Sequence, residues 1–181
     1  MKQILFLICI MVSFKGHSSC PVSYEVRTDL DVLDLNQIQM QGVSWINVNL
    51  RGASLESADI RQGNFSGIFA QEVNFNHIQA EHTDWIRSDL RRADFEGADL
   101  SYSIFRGANL EHSNLAHSNL YQSDLRGAFL QGANFTGAFV GAVKWEGAEF
   151  NAETQLPFSR VTAEELGMLY HEHPSSYENE Q

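Results

Sequence analysis

From Leu30 to Phe150 an apolar residue returns at every fifth position, through 25 repeats without an insertion. The phase is clearest where Ala93-Asp94-Phe95, Ala98-Asp99-Leu100, Ser103-Ile104-Phe105 and Ala108-Asn109-Leu110 follow one another. A strict internal period constrains a fold more than composition does. Each repeat must take the same structure and bury its apolar residues against its neighbours. A period of five matches neither a helix nor a strand. Within each five, however, a small residue and the central residue are two apart, so both face one side of a short extended segment. The Asn or Asp between them faces the other side, and the last two residues must turn a corner. Gly42, Gly52, Gly67, Gly97, Gly107, Gly127, Gly132, Gly137 and Gly147 all fall at the second corner position. A type II turn needs positive φ there, which glycine adopts without strain. Corners at His77, His82, Arg87, Arg92, His112, His117 and Gln122 are expected to be type I instead.

Four corners close a 20-residue square, and stacked squares pair edge to edge at about 4.8 Å per coil. The repeats then make about six coils, a rod on the order of 30 Å long. Every fourth centre gives Trp45, Phe65, Trp85, Phe105, Leu125 and Trp145 on one side, opposite Leu35, Leu55, Phe75, Phe95, Leu115 and Phe135. The inward aromatics, Phe150 excepted, thus lie on one opposed pair of sides. Ala70 and Ala80 are each preceded, at the usually small inward site, by Ile68 and Ile78, which restores the missing volume.

These residues resemble the pentapeptide repeat family, whose motif is commonly written A(D/N)LXX, over about residues 28–151. The resemblance implies an all-β solenoid, a right-handed quadrilateral β-helix, and by itself implies little about function. Leu33, Ile38, Val43 and Val48 depart from the motif, which has Ala or Ser there. The expected organisation is a signal peptide over 1–19, an N-terminal cap over 20–29, the β-helix over 30–151, a C-terminal cap over 152–173 and a disordered tail over 174–181. Within the C-terminal cap, Thr162-Ala163-Glu164-Glu165 reads as a capping box opening a short helix from Ala163 to about Tyr170. Such a segment would cover strand edges and apolar core left open at the last coil.

The leader reading rests on Lys2, an apolar run from Ile4 to Val12, and Gly16, Ser18 and Ser19 beyond it. That run is too short to span a bilayer but fits a signal-peptide core. Export to the periplasm or outside the cell follows as an expectation. Ser18-Ser19-Cys20 also resembles the end of a lipoprotein signal, although His17 stands where that motif has an aliphatic residue. Membrane contact is expected only if Cys20 is lipidated or the leader is retained. The net charge of -11 argues against nucleic acid as a direct ligand. Cys9 and Cys20 are the only cysteines, too few for a disulfide framework.

No catalytic, cofactor-binding or metal-binding residues are expected. His77/His82 and His112/His117 fall on successive corners, where zinc ligands would not converge. His171-Glu172-His173 in the tail offers at most weak chelation, and with it the least favoured reading, an enzymatic or metal-binding role. Asp84, Asp89, Asp94 and Asp99 should face outward on four different sides, which forbids a catalytic pair. Quinolone-resistance members of the family mimic DNA and bind DNA gyrase, so an acidic stripe is worth seeking. The best side carries Asp34, Glu56, Asp94 and Glu96, sparse beside a phosphate backbone. Outward aromatics are more suggestive: Phe69, Phe129 and Phe139 replace the usual Asn or Asp. Phe139 should share a side with Tyr121 and Tyr102 on successive coils, an apolar patch suited to a protein partner or a homodimer. The sequence therefore reads as an exported, non-enzymatic scaffold for protein interaction, with a gyrase-directed DNA mimic as the alternative.

Overall fold

The computed structural model describes residues 33–172. The expected leader, Cys20, the N-terminal cap, the first centre at Leu30, His173 and the tail beyond it lie outside the described residues. From Asp34 onward each outward residue bridges, in parallel, the residue 20 positions later. Four ladders result. The first runs Asp34, Ser54, Asn74, Asp94, Asn114, Asn134, and the second Gln39, Asp59, Gln79, Asp99, Asn119, Phe139. The third runs Ser44, Asn64, Asp84, Ile104, Asp124, Lys144, and the fourth Asn49, Phe69, Asp89, Asn109, Phe129, Glu149. Asp84, Asp89, Asp94 and Asp99 accordingly stand on four different sides. Each rung carries two backbone bonds. The Phe75 N–H donates to the Asp94 carbonyl at 2.7 Å, and the Asp94 N–H to the Val73 carbonyl at 2.9 Å.

The corners differ from expectation. Every second corner residue from Gln37 to Gly147 has positive φ, fourteen of them not glycine. His77, His82, Arg87, Arg92, His112, His117 and Gln122 are among them, at φ between 55° and 59°. They form type II turns, not type I. The reason is the column of peptides at each corner. The His77 N–H donates to the Glu96 carbonyl at 2.9 Å, and the Glu56 carbonyl accepts from the Gln37 N–H at 2.8 Å. Type I and type II turns differ by a flip of this central peptide. Flipping one corner would break its bonds to the coils on both sides, so the stack imposes one turn type on every residue.

The centres fill the interior as the square requires. Phe65 and Trp85 stack at 4.8 Å on one side, and Phe75 and Phe95 at 4.8 Å on the other. Trp85 meets Phe75 and Phe95 edge-on across the core, at 5.3 and 5.7 Å. Ile68, Ala70, Ile78 and Ala80 are all buried, so the isoleucines do occupy the space the alanines leave. A single buried polar group serves the second tryptophan. The Thr83 hydroxyl accepts from Trp85 Nε1 and donates to the Ala80 carbonyl, both at 2.6 Å. Trp45 has Val43 at the corresponding place, and its Nε1 is buried without a partner.

At the C-terminal end the helix, α1, spans Arg160–Glu165 rather than Ala163 to Tyr170. Its N-cap is Ser159, whose hydroxyl accepts from the Thr162 N–H at 3.2 Å. Thr162 lies inside the first turn, not at the cap. The helix stops early because Gly167, at φ 80°, closes it: the Met168 N–H donates to the Ala163 carbonyl and the Gly167 N–H to the Glu164 carbonyl. That is the double bond of a Schellman closure. The chain then forms β2, Leu169–His171, parallel to β1, Glu149–Asn151, with Glu149 opposite Leu169. The fourth ladder therefore keeps its 20-residue step across the helix. On the first ladder the step is 21, since Asn134 bridges Gln155. Asn151 and Thr154 absorb the extra residue, both accepting from the Gly132 N–H through their side chains. Ala163 and Met168 join the core, and Phe158 packs edge-on against Trp145 at 5.6 Å.

Candidate functional site

Three outward aspartates are held in one recurring arrangement, Asp-x-Arg with a second donor 18 residues earlier. Arg61 donates to Asp59 through Nε at 2.9 Å and Nη2 at 2.6 Å, and Gln41 adds a further bond. Arg91 and Gln71 hold Asp89 in the same way. Asp124 takes both nitrogens of Arg126 and Arg106 Nε, all at 2.7–2.8 Å. The hydrogen bonds from Arg61 hold the Asp59 carboxyl below its ordinary range against burial. Burial pushes Asp89 and Asp124 up, but their guanidinium partners outweigh it and leave both lowered, Asp124 strongly. These carboxylates are clamps between coils, neutralised and committed.

A column of aromatic rings runs along the corner between the second and third ladders. His82 stacks on Tyr102 at 4.7 Å, Tyr102 meets Tyr121 edge-on at 5.7 Å, and Tyr121 stacks with Phe139 at 5.8 Å. Neighbouring coils supply successive rings, so the ladder spacing itself brings them into contact. Phe139 is 59% exposed and Tyr102 43%. Tyr121 and Phe139 lie against Gly141, which has no side chain: a Cβ there would come within 3.1 Å of Tyr121 and 3.2 Å of Phe139. Ile104, on the third ladder beside Tyr102, is half-buried. The sequence reading placed Tyr102, Tyr121 and Phe139 together, and the structure does so. His82, a corner residue by its place in the repeat, lies 20 residues before Tyr102, and that offset is the sequence signal for their adjacency. Phe69 and Phe129 stand apart on the fourth ladder, separated by Asp89 and Asn109. Phe69 instead borders a shallow groove with Ser66, Gly67, Ile86 and Arg87.

His77, His112 and His117 lie flat over Gly97, Gly132 and Gly137 of the next coil. Each thus serves corner packing. His171 contacts Glu149 across the β1–β2 pair at 3.1 Å. Among the described residues no three His, Cys, Asp or Glu side chains are grouped to hold a metal ion. The side proposed for an acidic stripe carries Asp34, Glu56, Asp94 and Glu96. Asp94 and Glu96 both accept from the Asn114 amide, at 2.9 and 3.3 Å.

A four-sided parallel solenoid with two-residue corners defines the class of this protein. The family pattern for pentapeptide repeats matches eight copies over residues 34–68, 71–107 and 103–139, more than half of the chain. The chain belongs to the pentapeptide repeat family, and its fold is the right-handed β-helix of that family. Among solved structures it is similar to a pentapeptide repeat protein of the Arabidopsis thaliana thylakoid lumen, at 22% identity, covering 83% of this chain and 81% of that one, with a TM-score of 0.42. It is also similar to HetL of Nostoc, a protein involved in heterocyst differentiation regulation, at 20% identity, 83% and 81% coverage and a TM-score of 0.32. A third is QnrB1, a plasmid-mediated fluoroquinolone resistance protein, at 14% identity, 76% and 93% coverage and a TM-score of 0.34. No curated protein matches the chain.

Proposed function

We propose that the chain is an exported, non-catalytic scaffold: a rod of about six 20-residue coils, closed by the segment around α1, that binds a protein through its aromatic column. The observation that carries this reading is the contact of Tyr102, Tyr121 and Phe139, which joins them into one exposed aromatic patch, whereas Phe69 and Phe129 stand apart. Contiguous exposed rings cost solubility and recur at protein contacts, where aromatic residues are enriched. The rigid ladder beneath them fixes their spacing before any partner arrives, which lowers the ordering cost of binding. Export is supported by the leader pattern of residues 1–19. Mimicry of DNA toward gyrase is served less well, because Asp59, Asp89 and Asp124 are neutralised by arginine and the remaining acids are spread over several sides.

A pull-down from the exported fraction tests the reading. Tyr121→Ser/Phe139→Ser should lose partners that the wild-type chain retains. Unchanged partners and oligomeric state would overturn it. Protection of gyrase by the purified chain would favour the mimic instead.

A further inference from the structure

The aromatic column is bordered at its His82 end by three carboxylates without a close ion-pair partner. Glu81 precedes His82 in the chain, Asp84 precedes Ile104 on the third ladder, and Asp99 precedes Asn119 on the second. Among the described residues none of the three has a cation within ion-pair distance. Asp99 accepts only from neutral donors, the Ser101 hydroxyl at 2.7 Å and the Asn119 amide at 3.2 Å. Glu81 Oε2 is buried without a donor. Arg61, one coil below Glu81, is bonded to Asp59 through Nε and Nη2 and acts on Glu81 only at longer range. Elsewhere on the rod Asp59, Asp89 and Asp124 are clamped by arginine, whereas Asp94 and Glu96, like Asp99, accept from neutral donors; what distinguishes this corner is that its unpaired acids adjoin exposed rings. Lys144, beyond Asp124 on the third ladder, is the basic residue at the other end of the column.

We propose that the column's occupant is a basic, extended segment of a protein partner. Its apolar side chains lie against Tyr102, Tyr121 and Phe139, and its Lys or Arg head groups reach Glu81, Asp84 and Asp99. The inference rests on the column being a protein-binding surface and adds the partner's chemistry and direction. Rim carboxylates steer a cationic segment and set its register, and the net charge of -11 adds long-range attraction. A second copy would bring the same net charge and would set one Lys144 against three carboxylates. A sugar chain would find the ring faces stacked against one another rather than open to it.

The test uses the full chain and two fluorescent peptides of equal length, alternating Phe and Val with a charged residue, Lys in one and Glu in the other. Anisotropy should show the Lys peptide binding about tenfold tighter than the Glu peptide, and weakening as salt rises from about 0.05 to about 0.5 M. Asp84→Asn/Asp99→Asn should weaken the Lys peptide about fivefold, and Tyr121→Ser/Phe139→Ser should abolish its binding. All four positions face outward, and circular dichroism would verify that both variants are folded. Equal binding of the two peptides, or no effect of the Asn substitutions, would overturn the inference. So would a wild-type dimer that Tyr121→Ser/Phe139→Ser dissociates, because the occupant would then be a second copy. In each of these cases the pull-down still decides the scaffold reading by itself: partners lost with the rings leave it standing, and partners retained end it.

Discussion

A histidine held at φ near +57° carries strain of about 1 kcal/mol, and this chain accepts such strain at corner after corner. Stacking offsets it. His77, His112 and His117 each lie over a glycine of the next coil, His82 stacks on Tyr102, and His77 rests where a Gly97 Cβ would be. Gly97→Ala should therefore cost about 2–3 kcal/mol, part backbone strain and part overlap with the His77 ring. In a His77→Gly background the overlap is gone and the cost should fall to about 1 kcal/mol. Urea midpoints across the double-mutant cycle would show this coupling, and equal costs in both backgrounds would refute it. Trp45 offers the opposite change. Val43→Thr reproduces the arrangement that Thr83 makes under Trp85 and gives Trp45 Nε1 an acceptor. It should stabilise the chain by about 1 kcal/mol, read as a higher midpoint, and a lower one would count against the assignment. The corner positions were legible in the sequence from the glycines alone. Their uniform geometry was not, because residue preference favours type I at histidine and arginine, whereas the deciding bonds run to residues 19 positions away.

At the scale of the elements, the Asp-x-Arg pairs, each with a second donor 18 residues earlier, join adjacent coils and should make the ladders sensitive to acid. Asp59, Asp89 and Asp124 have lowered folded-state pKa values, so their stabilising contribution is complete above the unfolded carboxylate value near about 4. It is lost as pH falls below that through the folded values. Asp124→Asn should cost about 1–2 kcal/mol at neutral pH, discounted for the partial exposure of its arginine partners. It should also flatten the decline in stability between about pH 4 and pH 2, and equally steep acid profiles for the variant and wild type would contradict this. The terminal helix depends on Ser159 and Gly167 rather than on the Thr162–Glu165 box. Ser159→Ala should destabilise the end of the rod by about 1 kcal/mol and speed amide exchange at Met168 and Leu169, whereas Glu165→Gln should do little. The sequence pointed to Thr162 because it satisfies the capping-box spacing. Ser159 wins because the chain must return Leu169 to its place above Glu149, and only the earlier, shorter helix reaches that register.

For the whole molecule, the fivefold period alone carries the ladder, the opposed aromatic sides and the Ile68/Ile78 compensation. Those features depend on local spacing that every repeat restates. The proposed interaction surface was half legible. Tyr102, Tyr121 and Phe139 followed from the 20-residue step, but the stacking of His82 and the lack of close ion pairs beside it depend on side-chain placement that spacing does not give. Phe69 and Phe129 broke the motif just as visibly, yet the fourth ladder keeps them apart. Under the proposed function, the departures from the repeat that matter are those the coil brings into contact. Export is a proposal at this same scale, and intact mass should find the mature chain without residues 1–19, whereas a retained leader would send the search for partners to the cytoplasm. The scaffold claim meets its most direct test in photo-crosslinking, with a photoreactive phenylalanine analogue in place of Phe139 and, in a parallel chain, in place of Phe69. A discrete protein adduct from position 139 and none from position 69 is the result predicted. Adducts from both positions alike, or from position 69 alone, would contradict it.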